Sequence, residues 1–102
     1  MTAGRRLHER FDIELPVIVL LAGVEIPGHT VNVSLGGMLL KVERPIAYGS
    51  NVMIRVELPA LKERAELAAV VRWDRDGTVG VQFSALRAKD TWAINQLMKD
   101  PR

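Results

Sequence analysis

Apolar and polar positions along this chain alternate with period two until close to the carboxyl end, where a helical spacing takes over. From Asp12 to Leu21, DIELPVIVLL starts as an alternation and becomes continuously apolar and β-branched, which predicts a strand. Ala22-Gly23 reads as a turn. VEIPGHTVNV reads as the returning strand, broken or bulged at Pro27-Gly28, because proline cannot donate to a ladder. After the small, polar stretch NVSLGG, Met38, Leu40 and Val42 alternate with Leu39, Lys41 and Glu43. RPIAYGS punctuates a loop, and Val52, Ile54, Val56 and Leu58 then alternate with Met53, Arg55 and Glu57. PALKER leads into ELAAVVRW, which puts Leu67, Ala69, Val71 and Trp73 on one face. Asp76-Gly77 signals a tight hairpin, and Val79, Val81 and Phe83 share one side of its return.

In RAKDTWAINQLMKD the period changes: Leu86, Ala93, Ile94, Leu97 and Met98 fall on one helical stripe. Five or six short strands followed by one helix predict an antiparallel barrel or sandwich, not a parallel α/β sheet. Trp73 is expected to plug the core at a strand end. Trp92 lies off the helical stripe, and packing against the barrel and contact with a partner both remain open for it.

The chain has 102 residues, 48% of them apolar and 25% charged, which suits one folded domain with one core. Without cysteine there is neither a disulfide framework nor a thiolate metal site, and two histidines do not make a zinc site. No apolar run reaches the roughly 20 residues needed to cross a bilayer, and none resembles a signal peptide, so a cytoplasmic protein is expected. No nucleophile is paired with a base, and Asp74 and Asp76 read as turn residues, so no enzyme is expected.

Net charge is +2, and its location matters more than its size. Residues 1–10 carry three arginines against one glutamate, whereas residues 11–102 hold 11 basic and 11 acidic side chains. A duplex-binding protein spreads a basic stripe along a face, and a single-strand binder interleaves cations with aromatics; neither pattern is present, so no DNA or RNA partner is expected. A cationic cluster confined to one segment suits a small anion.

Arg6 and Arg10 stand four apart, and their planar forks can grip phosphate or a guanine edge. Alone, such a segment reads more readily as a solvated tail. NVSLGG adds Asn32, which donates and accepts, Ser34, which offers a hydroxyl, and Gly36-Gly37, which admit close approaches. It also reads as a plain turn between strands, and both readings can hold at once.

Taken together, Arg6-Leu7-His8-Glu9-Arg10 and Asn32-Val33-Ser34-Leu35-Gly36-Gly37 match R-x-x-x-R followed by (D/N)-x-S-x-x-G. In these motifs, and in the later VVRW and GTVGVQF stretches, the chain resembles PilZ domains, bacterial receptors for cyclic di-GMP. The resemblance covers almost the whole chain. It implies a mainly β fold: a six-stranded antiparallel barrel over 12–85, a flexible arginine segment over 1–11 and a closing helix over 86–102. It further implies that Arg6 and Arg10 hold phosphate and guanine, that Asn32 and Ser34 meet a guanine edge, that Gly37 preserves the turn, and that Gly36 belongs to the same ligand-binding set. Arg5, just before the motif, implies a second, stacked ligand, hence two molecules of cyclic di-GMP per chain and no other cofactor. On this reading the domain signals to an unknown partner protein, with motility or exopolysaccharide production as family outputs. The alternative is a PilZ-like adaptor with weak or no nucleotide binding.

Overall fold

A computed structural model describes residues 10–61 and 64–99, with the side chains of residues 98 and 99 aside. Seven strands and one helix follow in order: β1 (Phe11–Asp12), β2 (Pro16–Leu21), β3 (Val24–Val33), β4 (Gly37–Val42), β5 (Asn51–Val56), β6 (Ala65–Arg75), β7 (Thr78–Ala85) and α1 (Ala88–Lys99). Every pairing is antiparallel. The order β3-β2-β5-β6-β7-β4 closes on itself through β3 and β4, so six strands form a barrel, and two-residue β1 adds to the end of β3. Closure removes the unpaired edges that invite aggregation.

The alternation in the sequence becomes the inside and outside of this barrel. Met38, Leu40 and Val42 on β4, Val52, Ile54 and Val56 on β5, Leu67, Ala69 and Val71 on β6, and Val79 and Val81 on β7 are all buried in one cluster. Ala93, Ile94 and Leu97 of α1 join that cluster, so the helical stripe packs against the barrel. The helix starts at Arg87, whose carbonyl accepts the Thr91 N–H; the buried Asp90 carboxylate accepts the Arg87 N–H and holds its guanidinium at 3.0 Å. A carboxylate in the first turn complements the helix dipole.

Both tight hairpins use mirror-image turns, with positive φ at Ala22 and Gly23 and again at Asp76 and Gly77. Such turns match the right-handed twist of the strands they join.

Three expectations need correction. The strand predicted over Asp12–Leu21 is interrupted at Ile13-Glu14-Leu15. There the buried Thr30 intervenes: its hydroxyl accepts the Leu15 N–H at 2.8 Å and donates to the Ile13 carbonyl, beside backbone bonds from Ile13 N–H to the Val31 carbonyl and from Thr30 N–H to the Leu15 carbonyl. Second, β3 is not broken at Pro27-Gly28. Proline still contributes its carbonyl, to Glu43 N–H, and the register irregularity falls between Thr30 and Asn32 instead. Third, Trp73 is not in the core; 41% of it is exposed. A register shift between Val71 and Trp73 sets both Arg72 and Trp73 outside the barrel.

Candidate functional site

One rung of the ladder runs across four strands: Asn32 on β3 pairs with Leu39 on β4, Leu39 with Gly80 on β7, and Gly80 with Trp73 on β6. At a strand spacing of about 4.8 Å this is a span of roughly 14 Å. The outer face of that rung is the floor of an open groove of about 330 Å³. Leu39 and Gly80 lie along this floor, and the Trp73 indole lies against Gly80 at one end. Asn32, Ser34, Gly36 and Gly37 form the other end, with Arg10 beside them.

Arg10 arrives there because β1 pairs Phe11 with Val33 and Asp12 with Asn32. The preceding residue therefore reaches the turn that follows β3. The Thr30 bonds to residues 13 and 15 fasten the same segment a few residues on. Asp12, next to Asn32 on the rung, lies outside the groove lining.

The turn between β3 and β4 is built around Ser34. Its hydroxyl oxygen accepts the N–H groups of Gly36 and Gly37, each at 3.1 Å, and its own proton points to the Gly37 carbonyl at 3.3 Å. The backbone closes the same turn through Ser34 N–H to Gly37 carbonyl at 2.9 Å. The hydroxyl is thus occupied within its own turn, whereas the Asn32 side chain has no partner among the described residues. Gly37 is needed for space, not for torsion: its φ is not positive, and a Cβ there would collide with the Val81 carbonyl of β7.

Among the described residues the groove lining includes two arginines, Arg10 and Arg72, and no carboxylate. Arg55 is paired with Glu25 and Glu66, and Arg87 with Asp90. Among the described residues neither groove arginine has a carboxylate within ion-pair distance. Arg72 instead donates from Nε to Gln82 Oε1 at 2.7 Å. The groove therefore combines positive charge, a polar amide and an aromatic face, which suits an anionic, flat, hydrogen-bonding molecule.

Of the residues expected at a site, Arg10, Asn32, Ser34, Gly36 and Gly37 come together in this groove. Arg5 and Arg6 lie outside the described residues. Arg72, Trp73 and Gln82 were not anticipated. Simple alternation places Trp73 in the core, although counting back from the Asp76-Gly77 turn pairs it with Gly80, a glycine facing an aromatic. The two histidines take no part: His29 lies 3.5 Å from Glu14 on the surface, and His8 is outside the described residues. No group of His, Asp and Glu among the described residues could hold a metal ion.

Comparison with known proteins agrees with this picture. Residues 4–99 match the family model described as PilZ domain. The chain is 31% identical over 91 residues to the cellulose synthase catalytic subunit (UDP-forming) of Xanthomonas axonopodis pv. citri, matching 87% of this chain and 12% of that protein's length. The crystal structure of the PilZ domain of a cellulose synthase from a cellulose-synthesizing bacterium superposes with a TM-score of 0.69, at 22% identity, covering 87% of this chain and 93% of that one. The Bacillus subtilis inhibitor of motility superposes with a TM-score of 0.73 at 23% identity, covering 96% of this chain and 54% of the other. At such identities the two structures speak to the fold, and the family match together with the Xanthomonas relative speaks to descent. With both motif halves in sequence, this barrel and the match over 4–99, the chain belongs to the PilZ domain family.

Proposed function

We propose that this domain is a non-catalytic receptor for cyclic di-GMP. The observation that carries the reading is the convergence of Arg10, Asn32 and Trp73 on one groove whose described lining residues include no carboxylate. Cyclic di-GMP has two phosphates and two guanines. An arginine fork pairs with a phosphate or with O6 and N7 of guanine, and an amide reads a base edge. An indole face stacks a base, worth about 1–3 kcal/mol. Arg5 and Arg6 sit four or five residues ahead of Arg10, so closing that segment over the groove brings two more forks to the ligand. A second ligand molecule, stacked on the first, is the role assigned to Arg5.

The output is a change of surface. Ligand favours the closed arrangement of the arginine segment only in proportion to its tighter binding there, and a partner protein reads the result. A cytoplasmic setting fits this role, and among the described residues no helix is long and apolar enough to cross a membrane. The similar proteins suggest polysaccharide synthesis or motility as the process controlled.

Isothermal titration with cyclic di-GMP tests the reading. Saturable heat at two ligands per chain is expected, abolished in the Arg6→Ala, Arg10→Ala double variant while the fold persists. Saturation at one ligand removes the second molecule. No saturable heat from the folded wild type rejects the receptor and leaves the adaptor, for which Trp92, 51% exposed on α1, is a contact surface.

A further inference from the structure

We infer that Arg72, held in place by Gln82, is a ligand-binding and specificity-determining residue of this groove, a role that no part of the two sequence motifs encodes. The inference rests on the cyclic di-GMP reading above. Arg72 follows Val71, the last inward residue of β6, and the register shift at that point turns both Arg72 and Trp73 outward, against the same groove. The cation and the indole thus reach the site as neighbours on one strand.

Gln82 lies across β7, opposite Gly37 on one side and Val70 on the other. Its Oε1 accepts the Arg72 Nε–H at 2.7 Å. That bond uses one of the five N–H groups of the guanidinium and leaves the outer edge, with its two terminal nitrogens, as a bidentate donor. It also orients the Gln82 amide, whose NH₂ remains as a further donor. A neutral partner is important here. A carboxylate at position 82 would neutralise the guanidinium, whereas an amide fixes its plane and keeps its charge for the ligand. The fork matches either a phosphate or the O6 and N7 edge of guanine. The site is then clamped from both ends, by Arg10 beside Asn32 and by Arg72 beside Trp73.

The test is titration of the full chain with cyclic di-GMP, using wild type, Arg72→Ala, Arg72→Lys and Gln82→Glu. Loss of a charge-assisted bidentate contact weakens binding by about 10- to 100-fold, so that loss is expected for Arg72→Ala. Arg72→Lys, which keeps the charge and loses the fork, is expected to fall between it and wild type. Gln82→Glu, which ties the guanidinium into an ion pair, is expected to bind at least several-fold more weakly than wild type, most clearly at low salt. Thermal unfolding without ligand should be nearly unchanged in all three, since the pair is exposed. Wild-type saturation with Arg72→Ala within twofold of it overturns the clamp and leaves the receptor standing. Tighter binding by Gln82→Glu overturns the positioning role of Gln82. A wild type that does not bind overturns the receptor and the clamp together.

Discussion

The indole of Trp73 occupies the space that a side chain at position 80 would need. A Cβ built on Gly80 would lie 2.5 Å from Trp73 Nε1 and 2.8 Å from Cε2. The two residues are direct cross-strand partners, and the Arg75 guanidinium lies over the ring, 5.9 Å from its centre. The missing side chain at position 80 lets the indole lie close against β7 in the groove wall.

Gly80→Ala should therefore displace the indole. Because the ring is partly exposed and can swing outward, the cost in stability is small, about 1 kcal/mol or less. Ligand affinity should fall by about tenfold, the worth of part of a stacking contact. Trp73 fluorescence, read in a Trp92→Phe background, should shift toward that of a water-exposed indole. Unchanged emission and affinity would reject this account of the wall.

Gly37→Ala should behave quite differently. Here the obstacle is the Val81 carbonyl, part of the β4–β7 ladder, and backbone cannot swing aside as an indole can. Overpacking against rigid structure costs about 1–3 kcal/mol or more. Urea unfolding should show Gly37→Ala as much the less stable of the two glycine variants. If it matched Gly80→Ala, the close approach would not be what position 37 requires.

The sequence made the inner face of the barrel legible because period-two alternation holds wherever one face is buried. Met38, Leu40 and Val42, Val52, Ile54 and Val56, and Leu67, Ala69 and Val71 lie inside as their spacing requires. The motif residues were legible because chemistry and order coincide in them. Trp73 was misread because alternation fails at a bulge. Counted straight back from the Asp76-Gly77 turn, Val81 would face Arg72 and force a cation into the core. That conflict marks where an extra residue must sit. Thr30 was missed for another reason: nothing in a β-branched residue within VEIPGHTVNV distinguishes a hydroxyl that bonds backbone from one that merely lines a strand.

Ala22→Asn should stabilise the domain. Ala22 holds a φ of 50° in the turn between β2 and β3, a left-handed conformation that costs an L-residue with a Cβ about 1–2 kcal/mol. Asparagine tolerates it better, and Asn-Gly is a preferred pair for this mirror-image turn. A gain of about 0.5–1 kcal/mol is expected, which for a domain of this size raises the melting temperature by roughly 2–8 °C. Ligand affinity should be unaffected, because the turn is outside the groove lining. A lower melting temperature would contradict the turn geometry.

Thr30→Val tests how the barrel aims the arginine segment. Valine has nearly the same shape, so the buried site stays filled, but Leu15 N–H and the Ile13 carbonyl lose their partner. An unpaired buried backbone group costs about 1–3 kcal/mol. Thr30→Ser keeps the hydroxyl and loses one methyl, costing about 1 kcal/mol for the small void. The two variants thus separate hydrogen bonding from packing. Valine should be the less stable in urea unfolding, with faster hydrogen exchange at the Leu15 amide. Because residues 13–15 connect β1 to the barrel and β1 brings Arg10 to the groove, valine should also weaken cyclic di-GMP binding more than serine does. Equal stability and equal affinity in the two variants would show that shape alone, and not the hydroxyl, holds this strand in place.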